Sequence, residues 1–382
     1  MFRVELLPAQ QGDALWIEYG EPDAVHRILI DGGTPPTHQV VKDRIQALSA
    51  TDRHFELCIV THVDTDHIGG VLKLLADRSL GTTFGDVWFN DQEVLPPCPD
   101  PRRGPIDGAI LTRLLDGLGI TPNQAFDGDA VWVPEQGELP VRSLADGMRL
   151  TLLSPGIAQL AELCCNWTAV LRKAGLVPGA PSAEKLNELA RRKGVEILRA
   201  QRAETVEELA SAPFVADRSR ANGSTIAVLA EYEGTSCVLA GDAFAGVLAR
   251  SLGRLAAERG ENQLAVSAFK LPHHGSRRNV SLELLSTVAC PMYLFSTDGA
   301  VFGHPDPEAV ARVIRHGGPN PTLCFNYRSE PSRRWDDAAL RERYGYQVRY
   351  PAAGQSGLVI DLASTAPMST LPGPRDPREV TG

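Results

Sequence analysis

The sequence predicts a layered α/β fold, in which two sheets pack face to face and helices cover their outer faces. Strand-like apolar runs form two clusters, one before residue 157 and one after residue 223. Stretches with helical spacing lie between several of these runs, which is typical of layered α/β architectures. Polar side chains follow the ends of several runs, where the active-site loops of such folds collect.

The first cluster begins with three short strands and continues as strands alternating with helices. The predicted strands are FRVELLP, ALWIEYG, RILIDGG, FELCIV, GDVWF and MRLTLLSPG, and the predicted helices cover residues 40–48, 68–77 and about 107–118. The second cluster contains STIAVLAEY, TSCVLAGD, AVSAFKLP, PMYLFST, TLCFNY and YQVRYP, and SGLVIDL completes the sheet pattern.

Between the two clusters the pattern changes to an inserted helical segment, from Ile157 to about Val215. This stretch is rich in Ala, Leu, Glu and Arg at helical spacing and is broken by GLVPGAPS, so we expect a helical hairpin. The tail at 364–382 has almost no apolar content and is expected to be disordered. We therefore predict one domain over 1–363 that carries the insertion.

Composition indicates a soluble globular protein. Hydrophobic residues make up 43% and charged residues 22% of the 382 residues, and the formal net charge is −9. This charge argues against a protein that coats nucleic acid through a general basic surface, although a local basic groove remains open. No apolar stretch approaches the roughly 18 residues of a membrane span, and the first residues lack a secretory pattern. We expect a cytoplasmic protein without a membrane partner.

The cysteines predict neither disulfides nor a zinc site. The seven form no C-x-x-C pair. Cys58, Cys237, Cys290 and Cys324 lie in apolar strand-like runs, so they are expected to be small buried hydrophobic residues.

The segment THVDTDHIGG (61–70) places four side chains that can bind metal, two histidines and two aspartates, directly after the apolar run ELCIV. Residues two apart point to one side of an extended segment, so His62, Asp64 and Asp66 can converge. His67 then lies at the predicted helix entry. The segment therefore offers ligands to two adjacent sites.

Four further candidates follow other predicted strands: Asp242 in VLAGDAF, His273 and His274 in AFKLPHHGS, and His304 in FGHPDP. A shared site would be built where these strands stop. The remaining histidines, His26, His38, His54 and His316, lie in ordinary surface-like contexts.

These motifs resemble the metallo-β-lactamase superfamily, in particular the hydrolase domain of the competence protein ComEC family. The resemblance rests on H-x-D-x-D-H-x-G-G, a strand ending in Gly-Asp, P-H-H-G-S, G-H-P, and an opening with Q-G-D-A and I-D-G-G that carries Asp13 and Asp31. ANGSTIAVL resembles the family's asparagine and serine strand, with Asn222 and Ser224. The match covers about 2–156 and 216–362, which leaves the insertion and the tail outside it.

The resemblance implies an αββα sandwich with a two-metal centre at one edge. It implies that His62 and Asp64 serve the first metal, that Asp66 and His67 serve the second, and that Asp242 bridges them. His273 and His304 are the remaining candidate ligands. The superfamily pattern usually has a further histidine between the first cluster and the bridging aspartate, and this chain has none. Downstream histidines or water would then complete the first site.

Paired divalent ions activate a shared water without a protein nucleophile. Three aspartates in the ligand set make Mn²⁺ a rival to Zn²⁺. We expect Asp66, Asp242, His274 and Lys270 to take part in catalysis, with Asp31 and His274 as plausible groups that orient ligands. For Asp13 and Asp31 a turn-stabilising role remains open. Lys270, Ser276 and Arg277 could hold a phosphate, although Arg277 and Arg278 could equally be solvated loop charges. Asn222 and Ser224 are expected to bind substrate.

The resemblance points to phosphodiester hydrolysis, with DNA as the favoured substrate. The insertion contains RRKGVEILRAQR (191–202), which is either a solvated helix face or the basic side of a lid that contacts a phosphate backbone. Two alternatives remain open: a hydrolase of a small phosphodiester, phosphonate or ester, and a metal-dependent binding or regulatory protein with weak catalysis.

Overall fold

The structure is a computed structural model that describes residues 1–91, 94–95, 106–163, 204–355 and 357–363. Its strands are β1 (Phe2–Leu6), β2 (Leu15–Glu21), β3 (Ala24–Ile30), β4 (His54–Ile59), β5 (Thr83–Trp88), β6 (Val141–Ser143), β7 (Arg149–Ser154), β8 (Ala227–Tyr232), β9 (Thr235–Leu239), β10 (Leu264–Ala265), β11 (Ala268–Lys270), β12 (Val288–Ala289), β13 (Met292–Phe295), β14 (Thr322–Phe325), β15 (Gln347–Arg349) and β16 (Leu358–Asp361).

The helices are α1 (His38–Gln46), α2 (Thr65–Ala76), α3 (Ile106–Leu118), α4 (157–163), α5 (Val206–Ala210), α6 (Arg220–Gly223), α7 (Ala245–Glu258), α8 (Leu282–Ser286), α9 (Pro307–His316), α10 (Glu330–Arg333) and α11 (Ala338–Tyr344). Among the helices that the structure describes, none combines the length and the apolar character that a membrane crossing requires.

Two large sheets form the framework. The first has six strands in the order β16-β1-β2-β3-β4-β5, and the second has eight in the order β15-β14-β13-β11-β9-β8-β7-β6. In the first sheet β3, β4 and β5 are parallel, and in the second β9, β11, β13, β14 and β15 are parallel. The carboxyl ends of parallel strands meet at one edge of a sheet, so the loops that follow them can share a site.

Side chains of β4 show how the layers pack. Leu57 and Ile59 belong to the core between the two sheets, whereas Cys58 belongs to a second apolar cluster with Val41 of α1 and Val71 of α2. Successive strand residues point to opposite faces, so one strand supplies both cores. Buried residues of helices α7 and α9 belong to the same apolar cluster as Leu57 and Ile59. The predicted layered α/β class, two facing sheets with helices outside, is confirmed.

The described flanks of the insertion differ in part from the prediction. A helix does begin at residue 157, but 164–203 lies outside the described residues, as does the tail at 364–382. Helix α5 begins with a capping box at Thr205 and ends at Ala210. Residues 211–215 are therefore not helical, although the sequence predicted a helix there. Pro213 lacks the backbone N–H that a continuing helix would use.

The prediction for the cysteines is confirmed for those that the structure describes. Cys58, Cys237, Cys290 and Cys324 are buried and free.

Candidate metal centre

Four segments that follow parallel strands converge at one edge of the sandwich. Asp31 follows β3, His62 follows β4, Asp242 follows β9, and the pair His273 and His274 follows β11. The sequence pattern of polar groups at strand ends thus corresponds to one cluster in space.

The carboxylate of Asp242 lies at the centre of four imidazoles. Its Oδ2 atom lies 3.9 Å from Nε2 of His62 and 3.7 Å from Nε2 of His273. Its Oδ1 atom lies 3.4 Å from Nε2 of His67 and 3.7 Å from Nε2 of His274. Each carboxylate oxygen therefore faces its own pair of histidines, which is the arrangement that a carboxylate bridging two cations requires.

On the opposite side of each ring, Nδ1 meets a hydrogen-bond acceptor. His67 Nδ1 lies 2.8 Å from Asp31 Oδ2, and His274 Nδ1 lies 2.9 Å from the carbonyl oxygen of Ser296. His62 Nδ1 lies 3.0 Å from the Thr61 hydroxyl, whose own proton goes to Asp31 Oδ2 at 2.7 Å.

His273 Nδ1 likewise lies 3.0 Å from Oδ1 of Asn279. A proton held on Nδ1 leaves the lone pair on Nε2 free for a metal.

Polar atoms at the centre have no hydrogen-bond partner among the described residues. They are Nε2 of His62, His67 and His274, and Oδ1 of Asp242. Buried polar groups are normally satisfied, so several orphaned atoms that point at one place are what a cation-binding site would present. Ligand atoms of His62, His67 and Asp242 lie within 4.8 Å of one another, as do those of Asp66, His67 and His274. These donor sets fit divalent cations such as Zn²⁺ or Mn²⁺.

The pKa shifts within the cluster also indicate that its buried carboxylates favour positive charge nearby. Burial raises the pKa of Asp242, but the surrounding imidazoles, His67 first, hold it well below its ordinary value. Burial lowers the pKa of His67, but the carboxylates of Asp242 and Asp31 raise it well above the ordinary value. Burial also lowers the pKa of His273, but the nearby carboxylates, Asp242 first, outweigh burial and raise this pKa to about 9. A buried carboxylate demands positive charge, which protons or a metal can supply.

Asp64 and Asp66 flank the cluster from the start of α2. Asp64 is the N-cap residue of this helix, and its Oδ2 lies 3.6 Å from Nε2 of His62. Its side chain is 47% exposed, so it lies at the mouth of the site, whereas His62 and His67 are fully buried. The assignment of His62 and Asp64 to one metal, and of Asp66 and His67 to the other, fits this geometry and stays a prediction.

Two further histidines, His274 and His304, lie in or beside the cluster. His274, expected to orient ligands, has its Nε2 in the cluster and its Nδ1 on a carbonyl, as a ligand would. His304, like His273 and Asp64, is in none of the ligand groups within 4.8 Å that the described residues form, and its buried Nδ1 has no hydrogen-bond partner among them, so its place as a ligand stays a prediction. Its Nδ1 lies 3.6 Å from Asp306 Oδ1, and its ring lies 5.4 Å from that of His273.

The structure places Lys270 in the interior, which does not favour the phosphate contact that its motif suggested. Its side chain has no exposed surface and makes an ion pair with Asp13, while its ammonium also donates to the carbonyl of Gly241 at 3.2 Å. A substrate cannot reach it. Oδ1 of Asp13 in turn lies 3.3 Å from Nδ1 of His274, so the Asp13–Lys270 ion pair packs against the cluster through His274.

The four residues expected to bind substrate do not line an open surface together. Asn222, Ser224 and Ser276 are buried, and the hydroxyl of Ser224 donates to the carbonyl of Ala221. The Arg277 side chain is 59% exposed and is bound to Glu308 at 2.7 Å. Burial and existing partners argue against direct substrate contacts for the first three.

Sequence reasoning missed Thr61, Asp217, Asn279 and Ser296, all of which support the histidines. Thr61 immediately precedes His62, which was the one available signal. The others come from loops without a metal motif, and Ser296 acts through its backbone carbonyl, which any residue type provides.

Comparisons with known proteins give distant structural likenesses. No protein-family model and no curated protein sequence matches the chain. Similar solved structures include the diiron β-hydroxylase CmlA from Streptomyces venezuelae, with 12% identity, a TM-score of 0.39, and coverage of 94% of this chain and 54% of that chain. They also include the MIM-2 metallo-β-lactamase, with 13% identity, a TM-score of 0.28, and coverage of 81% of this chain and 84% of that chain.

A third is MEM-A1, a subclass B3 metallo-β-lactamase from a soil metagenome library, with 15% identity, a TM-score of 0.28, and coverage of 81% and 89%. The chain spans about half the length of the hydroxylase chain that it matches.

Proposed function

We propose that this protein binds two divalent metal ions and hydrolyses a phosphodiester. The observation that carries the proposal is the carboxylate of Asp242, whose two oxygens each face two imidazoles at 3.4–3.9 Å. The unsatisfied Nε2 atoms around it supply the ligands that a metal pair needs.

One ion would be held by His62, Asp64 and His273 with Asp242 Oδ2. The other would be held by Asp66, His67 and His274 with Asp242 Oδ1. Two such ions lower the pKa of a shared water and stabilise charge that develops on substrate oxygens. The mixture of carboxylates and imidazoles suits Zn²⁺ and Mn²⁺.

The substrate would approach from the side of Asp64 and His273. Their side chains are 47% and 24% exposed, whereas those of His62, His67 and His274 are at most 1% exposed. Asp64 can therefore contact an incoming substrate or pass a proton to solvent. Asp66 is also partly exposed, whereas Asp242 is buried and would hold the reaction centre from within.

The phosphodiester class rests on the resemblance of the motifs to the ComEC hydrolase domain. DNA is the first candidate substrate. The basic residues that would hold its backbone, Arg191, Arg192, Lys193, Arg199 and Arg202, lie outside the described residues. A small phosphodiester or ester is the second candidate, and a metal-dependent binding protein with weak catalysis is the third.

The metal content and hydrolytic activity of the Asp242→Ala variant test the proposal. Wild-type protein should contain two divalent ions per chain and cleave bis(p-nitrophenyl) phosphate, and the variant should lose most metal and all activity. Asp77→Ala is a matched control. Asp77 also lies beside a histidine, at 3.9 Å from Nε2 of His38, but neither residue belongs to the cluster. Full activity in Asp242→Ala, or one ion per wild-type chain, would contradict the metal pair.

The salt dependence of cleavage separates the substrate classes. Each neutralised phosphate releases counterions, so binding of a long DNA strand should weaken steeply with salt. Charge reversal at Arg191 and Arg192 should raise KM for DNA and leave cleavage of the small chromogenic diester intact. Salt-insensitive activity that charge reversal does not change would favour a small substrate.

A further inference from the structure

Asp217 lies behind His273, on the side of the ring that faces away from Asp242. It belongs to the loop that leads from the insertion to the second sheet, and its side chain is only 8% exposed. Its Oδ2 lies 3.5 Å from Nδ1 of His273, while Nε2 of the same ring lies 3.7 Å from Asp242 Oδ2. The imidazole is thus held between two carboxylates, one on each nitrogen.

Asp217 also fixes the side-chain amides around the ring. Its Oδ2 accepts hydrogen bonds from Nδ2 of Asn222 at 2.7 Å and from Nδ2 of Asn279 at 3.2 Å. The Nδ2 of Asn279 lies 3.3 Å from the backbone oxygens of Asp242 and Ala243 as well. Every neighbour of this nitrogen is an acceptor, so the amide of Asn279 can point only one way.

This orientation decides where His273 carries its proton. With its nitrogen turned to Asp217, Asn279 presents Oδ1 to Nδ1 of His273 at 3.0 Å. Two acceptor oxygens, from Asn279 and Asp217, therefore lie within 3.5 Å of Nδ1, against the single amide nitrogen of Asn222 at 3.2 Å. A proton on Nδ1 leaves Nε2 as a lone-pair donor towards Asp242.

We infer that Asp217 is a positioning residue that holds His273 as a metal ligand and so completes the site that His273 shares with His62 and Asp242 Oδ2. The inference rests on the proposed metal pair. It accounts for a chain in which no histidine lies between His67 and Asp242. The imidazole for this site comes instead from the loop after β11, and its support comes from the exit of the insertion.

Stepwise Zn²⁺ affinities, measured by chelator competition, test the inference without reference to activity. Removal of a carboxylate that orients a metal-bound histidine typically weakens metal affinity about 10–100-fold. Asp217→Asn should lower the affinity for one of the two ions by that factor and leave the affinity for the other unchanged. Glu56→Gln is the matched control, because Glu56 pairs with His26 Nδ1 at 2.8 Å outside the cluster, and both affinities should stay unchanged.

A double-mutant cycle separates positioning from general structural support. If Asp217 acts through His273, then Asp217→Asn should cause no further loss of affinity in a His273→Gln background. A loss as large as that in the wild-type background would overturn the inference.

Thermal unfolding of the metal-free variants checks that they fold. Asp217→Ser is the second variant, because serine can still accept the hydrogen bond that the Ser219 backbone N–H gives to Asp217 Oδ1 at 2.9 Å. Wild-type affinity for both ions in either folded variant would overturn the inference about Asp217 but would leave the proposed metal pair intact. A wild-type protein that binds fewer than two ions would instead overturn the proposed metal pair.

Discussion

Asp31 Oδ2 lies 2.8 Å from Nδ1 of His67, although the two residues are 36 positions apart in the chain. The same carboxylate accepts hydrogen bonds from the backbone N–H and the hydroxyl of Thr61, at 2.8 and 2.7 Å. Asp31 is fully buried and thereby ties the end of β3 to the segment that carries His62 and His67. These contacts fit both roles that the sequence left open for Asp31, stabilising the turn and orienting a candidate ligand.

We expect Asp31→Asn to weaken metal binding about 10–100-fold, because the amide cannot accept from His67 and Thr61 as the carboxylate does. Chelator competition measures this loss. Asp52→Asn is a suitable control, since Asp52 interacts with Ser49 and Thr51 on the surface. Unchanged metal affinity in folded Asp31→Asn would show that the contact with His67 does not influence the site.

We expect His274→Gln to reduce the bound metal below two ions per chain, whereas His304→Gln should retain both. His274 Nε2 lies 3.7 Å from Asp242 Oδ1, while His304 Nδ1 lies 3.6 Å from Asp306 Oδ1. Metal analysis of the two variants after dialysis measures the difference. The reverse result, with loss only in His304→Gln, would restore His304 as a ligand.

Lys270→Met should destabilise the fold by about 3–5 kcal/mol, because it leaves the buried carboxylate of Asp13 without its partner. Urea unfolding of the metal-free protein measures this change. Lys42→Met is the control, since Lys42 pairs with Asp77 at a partly exposed site and should cost much less. A normal unfolding midpoint together with a raised KM would instead favour the phosphate contact that the motif suggested.

Gly70→Ala should destabilise the protein by about 1–3 kcal/mol, as overpacking does in a tight core. A Cβ atom at this position in α2 would lie 1.9 Å from the backbone oxygen of Gly32, so the helix that carries Asp66 and His67 would have to move. Thermal unfolding measures the loss.

Gly253→Ala is the matched control, because Gly253 is also helical, in α7, but a Cβ atom there meets nothing within 4 Å. This variant should be stabilised by about 0.5–1 kcal/mol, as alanine is favoured over glycine inside helices. Equal effects of the two substitutions would contradict the close approach of α2 to Gly32.

The sequence by itself determined the fold class and the segments that form the candidate metal centre. Apolar runs of strand length and the helical spacing between them are local properties. Leu57, Cys58 and Ile59, for example, are all buried and alternate between the two apolar clusters, as strand geometry requires. The grouping of His62, Asp66 and His67 was likewise predictable, since they lie on one short segment that runs from the end of β4 into the first turn of α2.

Only the tertiary structure decided what each polar group does within that cluster. His273 and His274 are adjacent in the chain, yet one ring faces Oδ2 and the other Oδ1 of Asp242. Both residues have positive φ angles, 50° and 55°, in a conformation that motif spacing does not reveal.

The environment of a charged side chain is also a tertiary property. Lys270 is an ion-pair partner of Asp13 because residues 257 positions apart meet in the interior, where no solvent or substrate reaches them. Asp217 faces His273 because the exit of the insertion packs against the loop after β11, where its backbone N–H donates to the carbonyl of Arg278 at 3.1 Å. Such contacts depend on how distant loops pack together, and local sequence patterns carry no record of that packing.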